Sequence, residues 1–412
     1  MPIDRRLRHL AALAVAVAGT MAAPVRAAIT LELHHPPGVQ PTADGRALVY
    51  EVNVRNFDAG CARLVDVRAD GGALRRHYRG DAIAANALVY DAQMRALPNP
   101  APGEDAFHPV DVPPGGGAVV YFFVQMPDTV PAPASLRHAF TFVDCAGGGA
   151  RRTVHDERAL PGTDPVVVGL PFRGSGWVAG DSVNPGGVHR RTLIPLRDAA
   201  GALVTGEFHV PERYAIDWVF IDDDDRRAVG PIDRNASYLA YGKEIVAVAD
   251  GVVSRTRDGM PEGTPPHNPP GQTVETAAGN FIMQDIGGGH YAFYAHLQPG
   301  SLRVREGDRV VRGQVIAVLG NSGNSSEAHL HFHVSDANDP LMSEGVPYVF
   351  DRYTAIGQAD GFDDATGTFD DVRRDEPVVR VGAMPRSYAI VDADLAPPSP
   401  FEWAYPALPC TR

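Results

Sequence analysis

From Ile29 onward the chain is written in short runs of β-branched and aromatic residues, closed repeatedly by glycine (43 of 412 residues) and proline (36). ITLEL, ALVYEVNVRNF, GAVVYFFVQMP and LRHAFTFVDC come first, separated by turns such as PPG, GGG and PAPAS. Alternation of this kind sends one side of each run to a core, and turn residues at this density mark strand ends. A PGTDP segment (Pro161–Pro165) reads as a linker. Beyond it RRTLIPL, YAIDWVFI, EIVAVADGVVSRT, NFIMQDI, HYAFYAHL, QVIAVLG and HLHFHV continue the pattern, with almost no helical period. The chain is therefore expected to be all-β. Residues 28–164 are expected to form an antiparallel β-sandwich and 165–353 a second β-rich domain, with 354–412 a C-terminal extension free to pack on either.

Two domains suit the length, which exceeds what one core ordinarily serves. A formal charge of -13 disfavours nucleic acid or an anionic membrane surface as main partner. The first 27 residues place Arg5, Arg6 and Arg8 before an apolar run from Leu10 to Ala23, then Val25 and Ala27 at small-residue cleavage positions. That is the pattern of a secretory signal peptide. No later segment is apolar for the length of a membrane helix, so the mature protein is expected to be exported, periplasmic or extracellular, without a membrane span. In that compartment Cys61 and Cys145 would pair within the sandwich, leaving Cys410 over.

The chemistry concentrates late. Glu327–Asp336 reads EAHLHFHVSD, and in a strand His329, His331 and His333 share one face. His296 ends an apolar run in YAHL, and Asp217 interrupts another in RYAIDWV, where a carboxylate needs a partner or a metal. The ordered blocks AIDW, YGKEIVAVADGVV, GNFIMQD and HYAFYAHLQPGSLRVREGDRVVRGQVIAVLGNSGNSSEAHLHFHV resemble the LytM/lysostaphin-type zinc metalloendopeptidases over about 150 residues.

The resemblance implies a barrel-like β fold with a sheet-floored groove, a Zn2+ ion, and peptide substrates, most often peptidoglycan stems or cross-bridges. Carried over position by position, Asp217 and His331 are expected metal ligands. His296 and His329 are expected to assist catalysis, and Asn280 and Tyr294 to line the groove. His333 is expected to lie beyond the site, carried away by strand twist. One position departs. The family's first ligand is a histidine four residues before the aspartate, and here that residue is Arg213, which stays protonated. His189 is the favoured replacement, brought beside Asp217 by an inserted hairpin. His209 would need a sharp chain reversal to reach the same metal. The third option is a defective site, as in relatives that bind and activate cell-wall amidases without catalysis. The long segment from Asp258 to Ala278 has the character of a functional loop. Oligomeric state is left open.

Overall fold

A computed structural model of the chain describes residues 28–97, 110–146, 150–160, 162, 164–363, 368–369 and 371–394. The expected signal peptide and Cys410 lie outside the described residues.

The N-terminal part is a sandwich of two antiparallel sheets. One sheet is six-stranded and runs in the order Ile29–Glu32, Gly45–Asn56, Gly117–Met126, Ala87–Tyr90, Ala96–Leu97, with Gly38–Thr42 also paired to Gly45–Asn56. The five-stranded sheet opposite is built around Ala62–Gly71 and Ser135–Asp144. Even-numbered residues of the long strands fill the space between: Leu48, Tyr50, Val52 and Val54 meet Val120, Phe122 and Val124. Cys61 and Cys145 form a disulfide within this unit, the pairing expected from the sequence.

The outer face of the six-stranded sheet is also covered. Ala47 and Val49 belong to the core of the second unit, and Val119 and Tyr121 pack with Phe208 and Val210. Strands buried on both faces read as near-continuous apolar runs, which explains AVVYFFV in the sequence.

The second unit is organised on an eleven-stranded sheet with the order Val166–Val168, Tyr348–Gln358, Ala389–Asp392, Ser175–Ala179, Ile216–Phe220, Leu330–Ser335, His290–Leu297, Asn280–Gly287, Gly251–Arg257, Arg309–Val310. Arg373–Ala383 adds to Tyr348–Gln358. No sheet among the described residues closes into a barrel, a departure from the barrel-like expectation. The boundary expected at residue 353 falls inside a strand, and Ala389–Asp392 sits in mid-sheet. The described part of the C-terminal extension is thus integral to the second unit. No described helix is long and apolar enough to cross a membrane.

Candidate metal centre

Alternation along the central strands divides the sheet cleanly. Even-numbered Ile216, Trp218, Leu330, Phe332, Ala292 and Tyr294 enter the main core. Odd-numbered Asp217, His329, His331, His333, Phe293 and Ala295 occupy the other face. Register completes the arrangement, with Asp217 directly opposite His331 on one side and Ala295 opposite His331 on the other.

His189 reaches this face from a separate segment. It opens a three-residue 3-10 turn, His189–Arg191, and the hairpin Ile194–Arg197/Leu203–His209 follows before the Asp217 strand. The expected inserted hairpin is present, although His189 itself lies on a turn rather than a strand. Its Nε2 is 3.2 Å from Asp217 Oδ2, while His331 Nδ1 is 2.9 Å from Asp217 Oδ1. One donor atom from each of His189, Asp217 and His331 falls within 4.8 Å of the others, a geometry able to hold a metal ion.

The proton-bearing nitrogens are assigned by their partners. His189 Nδ1 faces the Asp181 carbonyl oxygen at 3.1 Å, His296 Nδ1 the Ser322 carbonyl at 2.8 Å, and His329 Nδ1 the Glu327 carbonyl at 3.0 Å. Each carbonyl accepts, so each Nδ1 carries a proton and Nε2 is the nitrogen left to face the cluster. His331 is reversed. Its Nε2 is 3.0 Å from His333 Nδ1, which leaves Nδ1 for the Asp217 side. His333 is therefore in contact with the cluster, not beyond it. The twist over two residues is too small to carry its ring away.

His296 occupies a strand position whose side chain would ordinarily enter the core. Its backbone takes φ 63°, the left-handed region that non-glycine residues seldom adopt, and the ring returns to lie 4.7 Å from that of His329. Burial, then the neighbouring His329 and His331, push its pKa well below the ordinary value, so it stays neutral. Burial alone would raise the Asp217 carboxyl, but His189 and His329 outweigh it and hold that group well below the usual carboxylate range.

Three expectations take different places. His209 pairs with Glu344 Oε1 at 2.9 Å, away from Asp217. Tyr294 is fully buried, donating to Gln284 Oε1 at 2.6 Å and accepting from the Val248 amide at 2.9 Å. Asn280 is likewise fully buried and holds the Met260 and Leu297 carbonyls. Both side chains are at 0% exposure, so neither lines a groove. Arg213 is buried between Glu51 Oε2 at 2.9 Å and Glu344 Oε2 at 3.0 Å. Glu212 was missed in the sequence, and its carboxylate lies 3.8 Å from His331 Nε2. The loop from Asp258 packs close by, where Glu262 accepts from Tyr241 Oη and the Asn321 amide.

Comparison with known proteins agrees with the resemblance. Residues 236–342, within the second unit, match the family described as Peptidase family M23. The matched span includes His296, His329 and His331, while His189 and Asp217 precede it. The peptidoglycan DD-endopeptidase ShyA of Vibrio cholerae is 29% identical over 147 residues, 33% of this chain. The alignment spans only 30% of that relative's length. The catalytic domain of lysostaphin from Staphylococcus simulans is 21% identical, covering 29% of this chain and 84% of that one at a TM-score of 0.20. A zinc-containing peptidase from Vibrio cholerae is 16% identical, covering 51% and 81% at a TM-score of 0.17.

Proposed function

We propose that this family M23 peptidase domain is a zinc-dependent endopeptidase acting on peptide bonds of peptidoglycan, in the periplasm or outside the cell. The observation that carries the reading is the convergence of His189 Nε2, Asp217 and His331 Nδ1 beside two further imidazoles tethered through Nδ1. Two imidazole nitrogens and one carboxylate suit Zn2+, and three protein donors are the number found in catalytic zinc sites. The donor chemistry fits, because every tautomer is already set by an outer acceptor.

Zinc held by these three residues would supply Lewis acidity to the scissile carbonyl and its attacking water. The remaining work belongs to the chain. Neutral His296 can take a proton at Nε2, since its Nδ1–H is committed to Ser322. His329 Nε2 lies 3.5 Å from Asp217 Oδ1, close enough to the cluster to donate to an oxyanion once protonated. Neither group leaves its place during these steps, because each ring is tethered through Nδ1. The peptidoglycan substrate is the one named for the Vibrio relative, and the Cys61–Cys145 disulfide supports an exported protein.

The test is digestion of purified sacculi with zinc-loaded protein, with products separated and identified by mass spectrometry. New peptide amino termini, absent after chelation and absent with His331→Ala, are expected. Unaltered sacculi from a protein carrying one zinc would sink the substrate assignment, and undiminished cleavage by His331→Ala would sink the site.

A further inference from the structure

The segment that carries His189 is held from outside its own domain. Directly after the histidine, Arg190 is buried to 2% exposure, and its guanidinium carbon lies 5.7 Å from the ring centres of both Tyr121 and Phe123. Arg191 lies 5.4 Å from the Tyr121 ring centre, and its Nη2 donates to the Ala85 carbonyl at 2.8 Å. All three partner residues belong to the N-terminal sandwich. The attachment continues toward Asp217: Phe208 and Val210 pack on Tyr90, Val119 and Tyr121. Asn53 Nδ2 donates to the Gly206 carbonyl at 2.9 Å, and Arg213 Nε donates to Glu51. From residue 190 to residue 213, contacts with the outer face of one sandwich sheet recur along the chain.

We propose that the N-terminal sandwich is a structural part of the metal centre, fixing His189 in reach of Asp217 through Arg190 and the Tyr121 and Phe123 rings. This rests on the metal-site reading above. The three-residue 3-10 turn has two short-range backbone bonds, Arg191 N–H to the Val188 carbonyl and Thr192 N–H to the His189 carbonyl, which shape the turn without fixing where it sits. Within the second unit, Asp181 holds the entry to the turn, its carbonyl facing His189 Nδ1 and its Oδ2 accepting from the Val188 amide at 3.1 Å, and Arg190 Nη1 donates to the Pro185 carbonyl at 3.3 Å. The exit from the turn is held against the sandwich by the two arginines that follow. A guanidinium over two aromatic faces gains cation–π attraction that strengthens when water is excluded, as it is here. Arg190, Tyr121 and Phe123 are thus positioning residues, acting on the metal through His189. The position that would otherwise supply the first ligand is Arg213, in the turn before the Asp217 strand, and it joins the same interface, so both ends of the insertion are anchored on the sandwich.

The experiment compares zinc affinity in full-length Arg190→Ala, Tyr121→Ala and Tyr121→Phe, by competition with a chromogenic chelator. Circular dichroism of the metal-free proteins reports folding, and the cobalt-substituted visible spectrum reports the donor set. The two alanine variants should bind zinc at least about tenfold more weakly, the scale of loss when outer support of a ligand is removed, with an altered cobalt band. Tyr121→Phe keeps the ring and should stay within about twofold of wild type. Folded alanine variants that bind zinc as tightly as wild type, with the same cobalt spectrum, overturn the proposal. Where either alanine variant does not fold, Arg191→Ala, whose side chain is only partly buried, decides by the same reading. Wild type that takes up no zinc would instead remove the metal-site reading, so the two failures are separate.

Discussion

His331 Nε2 and His333 Nδ1 lie 3.0 Å apart on the sheet face away from the core. For His331 to offer Nδ1 to a metal, its proton must sit on Nε2, and His333 Nδ1 is the acceptor in line. Burial holds His333 well below its ordinary pKa, so that acceptor stays unprotonated. Outer partners of this kind typically change metal affinity about 10- to 100-fold when removed. His333→Phe keeps the ring that packs 4.7 Å from Phe293 but removes the acceptor. Zinc affinity is expected to fall by about tenfold or more, read by chelator competition. Undiminished affinity would show that the contact is packing alone.

Arg213 offers a test of stability. Its guanidinium and both partner carboxylates are buried, with side-chain exposures of 6%, 7% and 5% for Arg213, Glu51 and Glu344. Removing one member of a buried ionic set leaves uncompensated charge and destabilises by about 3–5 kcal/mol. Arg213→Ala should show a loss of this size in urea denaturation followed by tryptophan fluorescence. Arg213→His should not raise the zinc stoichiometry, because residue 213 faces Glu51 and Glu344 rather than Asp217. A loss below about 1 kcal/mol, the range of exposed pairs, would contradict the first expectation.

The sequence made the strand content legible because period-two alternation and glycine/proline turns are local signals. The site was legible to the extent that it is carried on strands. Asp217, His329 and His331 followed from motif order, and their shared face from parity. Parity would also have excluded Tyr294, which is one residue from the site-facing Phe293. His189 could not be fixed from local pattern, because its position depends on a turn docked against another domain. His333 was misplaced by overestimating twist across two residues. The strand run SYAIVDADL was visible, but its place between Ser175–Ala179 and Tyr348–Gln358 is a long-range pairing with no local signature. The apolar outer face of the sandwich was on view in AVVYFFV. Reading it needed the idea that a second domain covers it.

The same interdomain network predicts a pH dependence of stability. The hydrogen bond that His209 donates to Glu344 raises the His209 pKa against the opposing effect of burial. A raised value means His209 stabilises fully below its unfolded value of about 6.5, with that contribution lost as pH rises through the folded value. Burial would raise Glu344, but His209, His35 and Arg213 outweigh it and hold it well below the usual range. Its contribution is present above an unfolded value of about 4.3 and is lost as pH falls through the depressed folded value. In chelator-treated protein, His209→Gln should therefore destabilise more at pH about 5.5 than at pH about 9, on either side of the histidine range. Equal losses at both pH values in urea titrations would remove His209 as a charged partner of Glu344.

His296 and His329 should separate from the metal-holding residues in their effects. Each is tethered through Nδ1 to a backbone carbonyl, and each presents Nε2 toward the cluster without being one of its three closest donors. His296→Ala and His329→Ala should therefore keep about one zinc per chain, the number a single three-donor site holds. They should lose about 10²- to 10⁴-fold in kcat, the range for general acid–base groups, with smaller changes in KM. His189→Ala and His331→Ala should lose the zinc itself, since two protein donors remain where a catalytic site uses three. Metal analysis beside steady-state kinetics on a defined cross-link peptide distinguishes the classes. If His296→Ala or His329→Ala lost zinc as readily as His331→Ala, that residue would be a ligand, and the proton-transfer role would pass to the other. The φ of 63° at His296 then has a mechanistic reading. The chain holds a left-handed residue at the strand end because that is what turns an imidazole from the core face toward the reacting groups.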